Sequence, residues 1–168
     1  MIRAAVAQAW GAATAKACGK PFPDCGRCRR PGSDALRASW GCEEEAPHAV
    51  WESTCTRCAG NNAECAVCDG DGILQHRRCP SAMVHGASPG LRMHIDLLFR
   101  AYSHYDRRNV LPVSGAWLDQ SRSFLAGVDM IDAERGYWDG LREEHLQEEV
   151  ERSQRKADAS SRRGSRRR

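Results

Sequence analysis

CTRCAGNNAECAVCDGDGILQHRRCP, residues 55–80, holds five of the chain's nine cysteines, as two C-x-x-C pairs six residues apart and a lone cysteine at position 79. Two thiolates separated by two residues can face one tetrahedral Zn²⁺ from a tight turn, the spacing used in structural zinc sites. Cys25 and Cys28, in DCGRCRRPG, make a third pair, so three pairs fall within 44 residues. That density predicts a zinc-stapled module.

Composition says why a staple is needed. Aromatic residues supply 7% of the 168-residue chain and mean hydropathy is −0.62, too little for a large core. Small units with thin cores rely on metal or cross-links. Apolar residues concentrate between Ser81 and Val150, which places a helical core there and leaves metal to order the cysteine-rich half. The net charge of +3 averages two unlike parts: residues 152–168 carry +7 and residues 1–151 carry −4. The basicity is therefore a tail property.

The opening MIRAAVAQAWGAATAKACGKPF is Ala-rich, but Gln8 and Thr14 interrupt it and no Leu-rich core follows Arg3, unlike a signal peptide. No stretch approaches the roughly 18 apolar residues of a membrane span. The expectation is a soluble intracellular protein, where C-x-x-C pairs mean metal more often than disulfide. An odd cysteine count also suits two four-cysteine sites and one spare better than a closed disulfide set.

Four segments follow. Residues 1–17 are either a short helix through Val6, Trp10 and Ala13 or a mobile arm. Residues 18–80 form an irregular cysteine-rich module, dense in Pro and Gly at its start, with Phe22, Trp40 and Trp51 expected to cover its metal. Residues 81–156 are expected to form a helical hairpin. Its first helix starts at a Ser88 cap with Pro89 in the first turn, and Leu91, Ile95, Leu98, Phe99 and Tyr102 share a face. It should end by Asn109, ahead of Leu111-Pro112. The second helix begins near Asp119 or Ser121 and carries Phe124, Val128, Ile131, Trp138 and Leu141, with Gly127, Gly136 and Gly140 weakening it. Residues 157–168 are expected to be a disordered basic tail.

Eight cysteines, Cys25, Cys28, Cys42, Cys55, Cys58, Cys65, Cys68 and Cys79, supply two four-ligand sites, hence two Zn²⁺. Spacing leaves the pairing open. Cys55 and Cys58 could join Cys65 and Cys68, although a six-residue linker is short for two knuckles to fold onto one metal. The favoured arrangement is interleaved: Cys65 and Cys68 with Cys79 and a distant cysteine, while Cys25, Cys28 and Cys42 take a fourth ligand from the Cys55 pair or from His48. All-thiolate sets indicate structural zinc, and no catalytic residue is expected. His76 and His85 are the imidazoles that a catalytic site would use. Phosphate-loop, serine-hydrolase and zinc-protease motifs are missing.

CAVCDGDG, residues 65–72, resembles one C-x-x-C-x-G-x-G repeat of the cysteine-rich domain of DnaJ-type chaperones, and CTRCAGNN matches it less well, with Gly60 but Asn62 in place of the second glycine. The chain shows no His-Pro-Asp triplet of a J-domain, so the resemblance implies zinc binding and not co-chaperone activity. Leu91 to about His145 is similar to small proteins of tailed bacteriophages and prophages, through Leu111-Pro112-Val113, Gly115, Leu118-Asp119-Gln120 and Phe124. That likeness implies a non-enzymatic part in virion tail assembly, as an assembly chaperone or minor tail component. The partner would be a tail-tube or tape-measure protein, met in the host cytoplasm through Phe124, Val128, Ile131 and Trp138; otherwise most of this stripe packs on the hairpin's first helix, which leaves the charged end past Leu141 for a partner. The alternative is a zinc-dependent nucleic-acid-binding regulator that neutralises phosphates with Arg162, Arg163, Arg166, Arg167 and Arg168.

Overall fold

A computed structural model describes residues 1–55, 57–58, 62–116 and 120–165, with side chains of the last helix followed to Ala157. The chain opens with helix α1, Ile2–Val6, a π-helical turn over Ala7–Gly11, and α2, Ala12–Ala17. Short helices α3, Cys25–Cys28, and α4, Asp34–Ser39, lead to a two-stranded antiparallel sheet of β1, Trp51–Thr54, and β2, Ile73–His76. Then come α5, Pro80–His85, α6, Pro89–Arg108, and α7, Arg122–Ser165.

The first seventeen residues are a helix and not an arm, and their alanines explain its place. Ala4, Val6 and Ala7 are buried against Val128, Ile131 and Trp138 of α7. Small side chains there let the helices approach closely, and the last helix gains an apolar partner that the sequence reading had not supplied. Phe124, Val128, Ile131 and Trp138 are consequently 8%, 1%, 0% and 5% exposed. They fill the chain's own core, which corrects their assignment as a partner-binding stripe.

Helix α6 begins as its cap predicts, with Ser88 Oγ accepting from the Leu91 N–H at 3.3 Å, and it ends at a left-handed Asn109. The hairpin is corrected. Leu98 lies against Gly127, Tyr102 donates to Asp132, and Arg135 reaches both Tyr102 and Asp106. These contacts climb together along both helices, so α6 and α7 run in the same sense. Arg122 is roughly level with residue 93, and the connector 109–121 must return the chain about 22 Å at 1.5 Å per helical residue. Gln120, 5% exposed, helps hold that return: its amide accepts from Val113 N at 3.0 Å and donates to Val113 O at 2.8 Å.

The core crosses the expected boundary at Pro80. Val50, Trp51, Tyr102 and Phe124 belong to one cluster, with Phe22 and Trp40 packed on its margin, so these aromatics serve the common core. Helix α7 is continuous through Gly136 and Gly140 and stays helical to Ser165, through the segment expected to be disordered from Ala157. Alanine and arginine are strong helix formers, and Glu151 pairs with Arg155 one turn on. Among the described residues no helix is long and apolar enough to cross a membrane.

Candidate metal centre

The sheet builds the site. Thr54 pairs with Ile73, and the Cys55 N–H donates to Gly72 O at 2.7 Å, so the chain leaves and re-enters the hairpin at one place. Cys55 and Cys58 stand at the exit, Cys65 and Cys68 at the return. The hairpin has already closed the loop that the six-residue linker alone would struggle to close. This corrects the interleaved pairing, because the sulfurs of Cys55, Cys58, Cys65 and Cys68 all lie within 4.8 Å of one another.

Glycine makes the return possible. Gly70 has φ +88°, and a Cβ there would lie 2.3 Å from Ala63 O. Cys68 and Gly70 both donate backbone N–H groups to Cys65 O, at 3.2 and 3.3 Å, which sets the second C-x-x-C turn. The Gly72 N–H points at Cys68 Sγ from 3.3 Å, the type of outer hydrogen bond that orients a thiolate ligand.

The donor set fits a tetrahedral ion. Zinc–sulfur bonds of about 2.3 Å imply sulfur–sulfur edges of about 3.8 Å. Cys55 and Cys65 sulfurs are 3.8 Å apart, those of Cys58 and Cys68 3.5 Å. The thiols are unlike in acidity. Burial pushes Cys55 up, but the N–H groups of Arg57 and Cys58 and the neighbouring thiols draw it down to about 6. Burial and the Cys58 thiol push Cys68 up to about 12. A negative charge is held easily at Cys55 and resisted at Cys68, and a divalent cation would offset the cost at Cys68.

The remaining predicted ligands share a cavity but are less tightly gathered: among the described residues, only the hairpin cysteines have all their sulfurs within 4.8 Å of one another. Cys25 and Cys28 of α3, Cys42 beyond α4 and Cys79 at the head of α5 line one cavity of about 330 Å³, with His85 at its wall. Burial, together with Cys79 and Cys28, pushes the Cys42 thiol up to about 12. Burial also raises Cys79, against the N–H groups of Ala82 and Ser81. Cys18, the spare, donates to Leu141 O.

Of the histidines, His48 is exposed. His76 stacks on Trp51 at 3.9 Å between ring centres and shares a 2.7 Å hydrogen bond with Ser53, so its ring serves the sheet and core. Gly60, Leu118, Asp119 and Arg166–Arg168, with the side chains of Arg162 and Arg163, lie outside the described residues. Sequence reasoning missed Glu134, which is 0% exposed on α7 and accepts from Thr54 N and Oγ1 at 3.2 and 3.1 Å, with Arg3 at 3.9 Å. Its signal, an acidic residue on the apolar face beside Ile131 and Trp138, was readable.

Fold and site together define a mainly helical chain whose small β-hairpin carries a tetra-cysteine group able to hold a metal ion such as zinc. The chain matches no protein-family model, no curated protein and no solved structure.

Proposed function

We propose that this is a non-enzymatic zinc protein that acts by protein contact in the assembly of a phage tail. The observation that carries the non-enzymatic part is the chemistry of the hairpin group: every donor is a thiolate, and Cys55, Cys65 and Cys68 are buried, the pattern of a closed structural centre. A structural Zn²⁺ contributes about 10–16 kcal/mol in small zinc peptides, enough to order a loop whose own apolar cluster is little more than cysteine and Leu74. The tail-assembly context rests on the likeness around Leu111-Pro112-Val113, Gly115 and Gln120.

The contact surface is the far end of α7, beyond Leu141. At 1.5 Å per residue this 44-residue helix is about 66 Å long. Leu146 and Val150 are exposed on a strongly charged stretch. They are the apolar footholds for a partner there, with virion incorporation depending on whether the partner keeps the chain.

The test is co-expression of the tagged full chain with tail-tube and tape-measure proteins. Retention of either, lost when residues 149–168 are deleted, is the expected result. Failure to retain both, with DNA binding that falls steeply with salt and disappears on removing residues 162–168, would replace this reading with the nucleic-acid regulator.

A further inference from the structure

We propose that Cys25, Cys28, Cys42 and Cys79 form a second, separate tetrathiolate site for one divalent soft metal ion, Zn²⁺ above all, and that this ion fastens residues 18–42 to the helical body.

Convergence is the first argument. These cysteines span 55 positions and three short helices, yet they line one cavity. Cys42 is close enough to Cys28 and Cys79, and Cys79 to Cys25, for each thiol to be felt by the next, although their sulfurs are less tightly gathered than those of the hairpin group. All four are free thiols. A single ion satisfies all four.

The backbone is arranged for it. The Cys79 N–H donates to Gly41 O at 3.2 Å and the Ala46 N–H to Arg77 O at 2.8 Å, so chain 41–46 is tied beside chain 77–79 and Cys42 beside Cys79. Asp24 caps the CGRC turn through the Gly26 N–H at 2.8 Å, presenting Cys25 and Cys28 from one side. The N–H groups of Ser81 and Ala82, at the head of α5, favour the Cys79 thiolate against its burial, as outer-sphere donors do at metal-bound thiolates. Arg29 and Arg37 border the cavity, where the net charge of −2 on a divalent tetrathiolate needs cations, although Glu43 and Asp34 share Arg37.

The segment also has little else to order it. Helix α3 has four residues, and α4 has six with none buried. Half-buried Phe22 and Trp40 are its apolar contacts with the main core cluster, with the Cys18–Leu141 and Cys79–Gly41 hydrogen bonds at its two ends. Helices this short do not hold themselves in water.

This site shares with the hairpin centre only the chemistry of four thiolates, so the two can fail separately. The full-length chain, purified under reducing conditions without added metal, should carry two Zn²⁺ by native mass spectrometry and elemental analysis. The Cys25→Ser/Cys42→Ser and Cys58→Ser/Cys68→Ser pairs should each carry one. Because the first pair can unfold the segment, the wild-type chain provides the second readout, alkylation by iodoacetamide mapped by mass spectrometry. Cys25 and Cys42 should react at least about tenfold more slowly than after a strong chelator is added, since only a free thiolate attacks. Chelator-independent alkylation of Cys25 and Cys42 with Cys55–Cys68 still protected, or one Zn²⁺ per wild-type chain retained in Cys25→Ser/Cys42→Ser, would overturn the second site and leave the first standing. Chelator-independent alkylation of both sets would overturn both.

Discussion

His76 shows how one side chain links the sheet to acid sensitivity. Its ring lies on Trp51 and bonds Ser53, and burial, with the charges of Arg3 and the N-terminus, pushes its pKa down to about 4 from the usual 6.5. Between those values the unfolded imidazole is protonated and the folded one is not, so the unfolded state binds more protons and stability falls as pH drops through this window. The full shift would amount to roughly 3 kcal/mol, and partial exposure of the ring reduces it to about 1–2 kcal/mol. Urea unfolding at pH 7 and pH 4.5 should therefore show wild type losing about that much more than His76→Gln, a comparison in which acid effects on the thiolates cancel. Equal losses would mean that the ring titrates freely. Glu134 sits nearby in the opposite situation: burial raises its carboxyl pKa, while Arg3 and Thr54 hold it back. That carboxylate joins the first helix, the sheet and the last helix at one point.

Among the elements, the close crossing of α6 and α7 depends on Gly127, where a Cβ would come within 2.7 Å of Leu98. Gly127→Val should force the helices apart and cost about 1–3 kcal/mol in chemical denaturation, whereas Gly136→Ala, with nothing within 4 Å, should be neutral or stabilising. Both helices, the Ser88 cap and the Pro112 boundary were legible because periodicity and capping are local signals. The four cysteines of the hairpin group were legible for the same reason, since C-x-x-C is a local spacing. What escaped is non-local. The hairpin has four-residue strands, WEST and ILQH, too short for alternation to register, and it decides which cysteines meet. Likewise, Phe124 to Trp138 showed an apolar face without showing what covers it. The covering surface, Ala4 to Ala7, lies more than a hundred residues away and consists of small side chains.

Taken whole, the molecule is a body with a projecting rod. Side chains from Gln147 to Ala157 are exposed, apart from their own pairings along the helix. A chain lacking residues 149–168 should keep its melting temperature within about 2 °C and its metal content unchanged, losing only helical circular dichroism. A large fall in melting temperature would show that the rod packs back on the body. The packing of α1 on α7 has a consequence for biosynthesis. A ribosome releases the first helix early, yet its covering surface is encoded around positions 124–138 and emerges only after most of the chain. The greasy side of residues 2–11 must wait, open to solvent or to a holdase, until the final helix leaves the exit tunnel. Residues 2–11 cannot finish folding before residues 124–138 are made.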